Sequence, residues 1–400
     1  MYTLAAVQFT HVLDFMIMMP LGAGLMRVFA IGPEQFGNLV ASYGLAAAVS
    51  GFLGGFVLDR FERKRALLAL YAAFTLATLG CAVAPTYGWL LLARIAAGAF
   101  GGVASGVVTA MVADAIPAER RGQAMATVMA AFPLSSVLGV PLGLLLAGWF
   151  EWHAPFFLLA GLGVAVFFVA RRVLPVVPRT LSQVHPVRQM GQILAHPVHL
   201  RAFVLSALLV FAGGCVIPFM APSLVANVGL PEQHLPYVYF CGGACVFFTM
   251  PWFGRLSDRH DKLHVLAAIS AVAVGVVLVL TRLGPGPVVA TLLVTSLFFV
   301  SMSGRFSPAM AMVSNAVDGR YRGGFMSVNS AIQQAATGCA TLLAGRLVTA
   351  GPGGGLIGYP RLGYLAAALF ALTVLAAAWL RAAAPHAARN PAPAGPLPEG

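Results

Sequence analysis

Long apolar stretches alternate with short polar connections along the whole chain. Twelve of these stretches are each long enough for the roughly 20 residues with which a helix crosses about 30 Å of hydrocarbon. Because the stretches are continuous rather than alternating, they predict membrane-spanning helices instead of barrel strands. They run approximately over residues 4–28, 35–58, 66–85, 88–113, 124–149, 153–170, 202–227, 235–257, 263–283, 287–313, 325–349 and 361–381.

Composition places most of the surface in lipid. Residues of the AVILMFWYC set make up 60% of the 400 positions and charged residues only 9%, against about 25% charged in a typical soluble domain. The net charge of +12 would suit a nucleic-acid partner, but the basic residues form short clusters without interleaved surface aromatics, so we expect none. The five cysteines lie scattered in apolar runs and predict neither a disulfide framework nor a metal site.

The distribution of Lys and Arg predicts the orientation. Most of them lie in the connections after the even-numbered stretches, in the central connection and in the tail. Since positive loops stay in the cytoplasm, we expect both termini there and a multi-pass protein of the bacterial inner membrane. The opposite connections hold only Arg27, Arg282, Arg346 and Arg361.

The stretches fall into two groups of six. A connection rich in Pro and Arg divides them, and an Ala- and Pro-rich tail, which cannot form a packed core, is predicted to be disordered. The predicted organisation is a six-helix unit at 1–170, a cytoplasmic linker at 171–200, a second six-helix unit at 201–381 and the tail at 382–400.

Two loops carry the same motif. The first reads GFVLDRFERKR from Gly55 and the second GRLSDRHDK from Gly254, with their Asp-Arg pairs 199 residues apart. RGQAMA and RGGFMS, one in each half, recur at nearly the same offset, which predicts a duplicated six-helix unit. The loop motif resembles the signature of the major facilitator superfamily, although the inner Gly of that signature is Glu62 here and Asp261 in the second copy.

This resemblance implies an all-α polytopic membrane fold with twelve helices in two bundles around a central cavity. It also implies alternating access, in which the two bundles expose the cavity to one side of the membrane at a time. The two loops would form the cytoplasmic gate, with Gly55, Asp59, Arg60, Arg63, Gly254, Asp258 and Arg259.

Motifs in the fourth and fifth stretches narrow the resemblance. RIAAGAFGG from Arg94 is similar to the RxxxGxxxG pattern of many proton-driven members. SSVLGVPLG, with Gly139, Pro141 and Gly143, resembles the antiporter signature and looks like the branch with sugar-efflux-like and purine-efflux-like permeases. Efflux is an implication of this resemblance, whereas the glycines alone also predict close helix packing.

Asp14 is the one carboxylate deep within a predicted span, and it shares a helix face with His11 and Met18. A charge at the bilayer centre needs a partner or a watery cavity. We interpret Asp14 as a proton carrier, because removal from water favours a protonated carboxyl. His11 is a candidate relay, but for a single histidine within a span the favoured interpretation is a hydrogen bond to a neighbour on its own helix. The alternative is a structural ion pair with Arg94 or Arg305. The resemblance implies that Arg94 contacts the first helix and biases protonation of Asp14.

Polar residues of the eleventh stretch predict the substrate cavity. Amides and hydroxyls on one face of a lipid-embedded helix must face protein or water, and solute binding is favoured over hydrogen bonding between helices. Met18 is added because it shares the face of Asp14, and Arg305 because it suits an anionic group of a solute. The eleventh-helix set is Ser327, Asn329, Ser330, Gln333, Gln334 and Thr337.

These observations predict a secondary active transporter of a small organic solute, with proton-coupled efflux by solute/H⁺ antiport as the favoured mode. One alternative is an importer of a sugar, carboxylate or other nutrient, and a remote one is a membrane enzyme with an HxxD acid–base pair. The expected partners are the small-molecule substrate, protons and the lipid bilayer. We expect a monomer without enzymatic activity, cofactor or metal, with the proton gradient as its energy source.

Overall fold

A computed structural model describes residues 1–57, 61–116, 118–175, 186–318, 321–351 and 354–388. Within these residues the chain is almost entirely helical. Helices satisfy their own backbone hydrogen bonds, as a polypeptide in lipid must. The predicted all-α fold is confirmed.

In the described residues of the first half the chain forms nine helices. α1 and α2 form one span bent by 60°, and α6, α7 and α8 together form the fifth span. In that span a π-helical turn, Ser135–Gly139, ends just before Pro141, whose missing N–H interrupts the regular hydrogen bonding. The helices are α1 (Tyr2–Ile17), α2 (Gly22–Val28), α3 (Pro33–Val57), α4 (Arg63–Ala82), α5 (Tyr87–Ala115), α6 (Ala118–Met129), α7 (Ala131–Leu134), α8 (Val140–Trp149) and α9 (Ala154–Val173).

The described residues of the second half form six long helices, one for each predicted span. A short helix in the linker, α10 (Pro186–Ala195), precedes them, and a hairpin of β1 (Thr349–Ala350) and β2 (Leu356–Ile357) connects the last two. The six are α11 (Pro197–Ala226), α12 (Leu235–Arg259), α13 (Lys262–Thr281), α14 (Val288–Asn315), α15 (Arg322–Leu347) and α16 (Tyr359–Ala383).

Counted as spans, the helices of the described residues make twelve, because α1–α2 form one span and α6–α8 form another. In the described part of the chain nine helices are long and apolar enough to cross a membrane, and the bent pair α1–α2 makes ten. α12 and α15 are as long but carry more Gly, Pro and polar residues. Together they complete the predicted set of twelve.

The connections lie alternately on two faces of the bundle. We call the face with the central linker the linker face, and the opposite one the distal face. On the linker face Lys64 Nζ donates to the main-chain oxygen of Leu174 at 2.6 Å. On the distal face the Asn227 amide exchanges two hydrogen bonds with the main chain of Leu356, at 2.7 and 3.0 Å.

The core shows which face is closed. Toward the distal face one buried cluster contains residues of both halves, for example Phe36 and Phe219, whose rings pack edge to face at 5.8 Å. Toward the linker face each half has a separate buried cluster. The backbones of the halves touch at two glycines, where a Cβ on Gly37 would lie 3.0 Å from the Cα of Gly345. The structure is therefore a conformer closed on the distal face.

The C-terminal segment is ordered beyond the point that the sequence predicts. The composition predicts disorder from residue 382, but α16 continues to Ala383 and a 3-10 turn, Pro385–Ala387, follows. Ala388 is buried and its main-chain oxygen accepts a hydrogen bond from Lys262 N at 3.2 Å. Alanine side chains are small enough for this close packing on α13, which explains the difference. Residues 389–400 lie outside the described residues.

Candidate functional site

A buried ion pair joins α1 to α5. Nη1 of Arg94 lies 2.7 Å from Oδ2 of Asp14, and neither side chain is exposed. The same nitrogen donates to the main-chain oxygen of Asp14 at 3.0 Å, and the Thr78 hydroxyl of α4 donates to Oδ1 at 3.3 Å. Charges removed from water need both a counter-ion and hydrogen bonds. α5 supplies the counter-ion of Asp14 and α4 a hydrogen bond, whereas Nε and Nη2 of Arg94 have no hydrogen-bond partner among the described residues. Thr78 is a member of the site that the sequence did not reveal.

Tyr43 of α3 connects this pair to His11. The guanidinium carbon of Arg94 lies 4.3 Å from the centroid of the Tyr43 ring, which is a cation–π contact. The hydroxyl of Tyr43 lies 2.6 Å from Nδ1 of His11, and both side chains are buried. The tautomer of His11 decides which of the two atoms donates. Tyr43 was also missed, although a tyrosine in mid-span needs a partner for its hydroxyl.

The glycines of α5 make room for these side chains. A Cβ on Gly98 would lie 2.8 Å from the Cα of Tyr43, and one on Gly101 would lie 2.5 Å from Nδ1 of His11. Real Cβ atoms do not approach so closely, so α3 and α1 reach α5 only because these positions are glycine. Gly98 of the RxxxGxxxG pattern, with Gly101 beside that pattern, therefore lets the Tyr43 ring lie under the guanidinium of Arg94.

The fifth-span motif with Gly139 and Gly143 packs against α1. A Cβ on Gly139 would lie 2.7 Å from the side chain of Leu13, and one on Gly143 would lie 2.5 Å from that of Ile17. Leu13 and Ile17 stand one residue before and three residues after Asp14 on α1. Close packing of the two glycines thus fixes the helix that carries the carboxylate.

Arg94, and not Arg305, is the partner of Asp14. Arg305 of α14 is 1% exposed, and its Nε donates to the Ser270 hydroxyl of α13 at 3.1 Å. Its guanidinium lies 4.0 Å from the ring centroid of Phe370 in α16. Its Nη2 has no hydrogen-bond partner among the described residues. The side chain is directed between the helices of its own half.

The expected cavity residues have different surroundings. Gln333 Nε2 donates to Sδ of Met310 at 3.3 Å, and the Thr337 hydroxyl donates to the main-chain oxygen of Gln333. Met18 is completely buried in the core. On α15, Ser327 and Ser330 are exposed, Gln333, Gln334 and Thr337 are half-buried and Asn329 is buried. Solute contact by these residues stays a prediction.

The described part of the gate loops contains ion pairs on the linker face. Arg63 Nε lies 3.2 Å from Oδ2 of Asp114. In the second loop Asp261 lies 3.2 Å from Nη2 of Arg381. Asp59 and Arg60 lie outside the described residues. The proposed gate function of these two and of Gly55, Arg63, Gly254, Asp258 and Arg259 stays a prediction.

Comparison with curated proteins finds relatives that match part of this chain. An uncharacterized MFS-type transporter, YceJ of Bacillus subtilis (strain 168), is 29% identical over 170 residues, which is 42% of this chain and 43% of that protein. A chloramphenicol resistance protein of Streptomyces lividans is 27% identical over 241 residues, or 60% and 62% of the two chains. This chain thus spans about half the length of the curated relatives it matches.

Solved structures share the fold over almost the whole chain. A bacterial homolog of the human lysosomal transporter Spinster, in an inward-facing and occupied conformation, has a TM-score of 0.79 at 15% identity and 98% coverage of both chains. A D-xylose-proton symporter has a TM-score of 0.74 at 16% identity, with 95% and 96% covered. At these identities the likeness shows the fold alone. The family model of the Major Facilitator Superfamily matches residues 4–304 and 202–399, and the chain belongs to this family of membrane transporters.

Proposed function

We propose that this transporter exports a small organic solute across a bacterial inner membrane in exchange for protons. The observation that carries the proposal is the pair of Asp14 and Arg94, the one ion pair in the described residues whose side chains are both fully buried. The name of the Streptomyces lividans relative, a chloramphenicol resistance protein, favours export. The proton gradient supplies the energy, and we assign no cofactor or metal.

The surroundings of Asp14 suit two protonation states. When the carboxyl is ionised, it holds Arg94 by charge. When it takes up a proton, Arg94 keeps the main-chain oxygen of Asp14 at 3.0 Å and the ring of Tyr43 as partners. Thr78 can donate to the carboxyl or accept from it. Protonation of Asp14 thus removes the counter-ion of Arg94 but leaves these other contacts in place, and the lost interaction energy changes the balance between conformations.

Protonation then biases the conformation. Loss of the ion pair weakens the hold of α5 on α1, and α1 packs against the fifth span, whose π-helical turn touches α12 of the other half. A change in the protonation of Asp14 can therefore be transmitted from α1 through the fifth span to α12, where the two halves are in contact. Exchange follows when solute and proton favour opposite states of this equilibrium.

We assign no enzymatic activity to the chain. An acid–base pair of His11 and Asp14 would need room for a substrate between the two side chains. Asp14 is completely buried and His11 is 7% exposed, and their polar atoms are engaged with Arg94, Thr78 and Tyr43. This enclosure favours proton binding over catalysis on a solute.

We place both termini and the linker face in the cytoplasm, because the positive connections lie there. The distal face is then the outer one, and the conformer described above is closed toward the outside. A monomer has both halves of the transport path, so no partner chain is required.

Transport into proteoliposomes tests the mode, with chloramphenicol as the first solute and a panel of metabolites and drugs after it. A solute/H⁺ antiporter accumulates solute in vesicles with an acidic lumen, because protons leave as solute enters. A symporter accumulates it in vesicles with an alkaline lumen. We expect accumulation in the acidic lumen and alkalinisation of that lumen, measured with pyranine. Accumulation in the alkaline lumen would instead show import, and equilibration under both gradients would show that protons are not coupled.

The hydroxyl of Tyr43 is expected to matter for coupling. Tyr43→Phe keeps the ring under Arg94 but leaves buried Nδ1 of His11 without its partner, which costs about 1–3 kcal/mol of stability. We expect fewer protons exchanged per solute. The matched control is Tyr71→Phe, because Tyr71 is equally buried and its hydroxyl binds Thr10 at 2.9 Å. The same loss of proton exchange in both variants would contradict a specific function of Tyr43.

A further inference from the structure

The distal face has few charged residues, and four of them join the two halves. Arg27 at the end of α2 lies 2.7 Å from Glu232, which begins the 3-10 turn before α12. Glu34 at the start of α3 lies 3.7 Å from Arg346 at the end of α15. In the described part of this face the third carboxylate, Glu151, pairs within its own half with His153 at 3.3 Å. Two of three carboxylates therefore contact the opposite half.

The two glutamates are related by the internal duplication. The tripeptide Pro-Glu-Gln occupies residues 33–35 and again residues 231–233, with an offset of 198 residues. That offset nearly equals the 199 residues between the Asp-Arg pairs of the loops. Parallel repeats are related by an axis along the membrane normal, so equivalent residues lie on the same face. Each half thus presents a glutamate at the start of its second span, and an arginine of the other half binds it.

We propose that the pairs Arg27–Glu232 and Glu34–Arg346 form a distal latch that stabilises the conformer closed on the distal face. Each half contributes one positive and one negative charge. The pair at Glu34 stands beside a close backbone approach of the halves, where a Cβ on Gly345 would lie 3.4 Å from the Cα of Glu34. Separation of the halves on this face breaks both pairs at once.

The strength of the latch suits a contact that opens in every cycle. The four side chains are between 40% and 70% exposed, and an exposed ion pair changes an equilibrium by at most about fivefold. Two such pairs bias the closed state without locking it. Because water reaches them, their effect falls at high ionic strength, where the Debye length shrinks to about 3 Å at 1 M salt.

Spin-label distances across the distal face test the proposal without a known solute. Labels at Val83→Cys and Val289→Cys report the separation of the halves, since both positions are exposed at this face. Exposed or half-exposed Cys241, Cys245 and Cys339 are first replaced by Ser. We expect Arg27→Glu or Glu34→Arg to raise the ratio of open to closed molecules by about two- to tenfold, because each replaces an attraction with a repulsion.

Charge exchange separates the latch from general damage. Arg27→Glu with Glu232→Arg, and Glu34→Arg with Arg346→Glu, are expected to restore the original distance distribution. The matched control is Arg282→Glu, which makes the same change of charge on the same face at a residue that contacts Tyr364 in its own half. An unchanged distribution in the single variants, failure of both exchanged variants to restore it, or an equal shift with Arg282→Glu would overturn the latch. The latch serves import and export alike, so this result is independent of the proposed direction of transport.

Discussion

Asp14→Asn is expected to abolish accumulation of solute driven by the proton gradient. Exchange of one proton for each neutral solute, in the opposite direction, couples transport to about 2.3 kcal/mol at 100 mV, which supports an accumulation of about fiftyfold before any pH difference is added. The amide at position 14 carries no exchangeable charge, so accumulation should fall to the equilibrium value of one. Exchange of labelled for unlabelled solute should persist, because the amide resembles the protonated carboxyl in shape and polarity.

The comparison variant for this experiment is Glu151→Gln, which removes an exposed carboxylate on the distal face. It should accumulate solute as the unmodified chain does. Full gradient-driven accumulation by Asp14→Asn would reduce Asp14 to a structural partner of Arg94. His11 would then be the remaining titratable candidate beside it.

The sequence was sufficient for the fold because the length of an apolar run directly reports a crossing of the bilayer. It did not show where a crossing bends. The fifth span contains a π-helical turn and the first bends by 60°, and such breaks depend on how neighbouring helices replace the missing hydrogen bonds. The order at Ala388 was missed for a similar reason, since composition does not report a docking partner such as the start of α13.

The sequence also identified both members of the central ion pair, because a carboxylate within a span requires a counter-ion. It left two arginines as candidates. The choice between Arg94 and Arg305 depends on which helices are adjacent in space, and neither periodicity nor motif spacing reports that. Met18, which shares the helix face of Asp14, is completely buried in this conformer, and its contact with solute stays a prediction.

The residues that the sequence analysis did not select were still marked by weaker features of the sequence. Tyr43 lies in the middle of α3, far from the interfacial region where tyrosines usually place their hydroxyl in water. A polar tip in that position needs a buried partner, and His11 supplies it. The repeated Pro-Glu-Gln of the distal face was also readable in the sequence, but its pairing with arginines of the opposite half required the fold.

Arg94→Gln is expected to lower the free energy of unfolding by about 3–5 kcal/mol, because it leaves the carboxylate of Asp14 buried without its counter-ion. Asp14→Asn leaves the guanidinium unpaired and should cost a similar amount. The double variant removes both charges, so its loss should be clearly smaller than the sum of the two single losses. Denaturant or thermal unfolding in one detergent measures all four proteins of this cycle.

Arg305→Gln provides the matched comparison, since Arg305 is equally buried but has no carboxylate partner among the described residues. The losses of unfolding free energy caused by Arg305→Gln and Asp14→Asn should therefore be additive. Additive losses for Arg94→Gln and Asp14→Asn would instead mean that the contact at 2.7 Å contributes no interaction energy. Protonation of Asp14 would then not weaken the attachment of α1 to α5. The proposed effect of protonation on the contact between the halves would have no source of free energy.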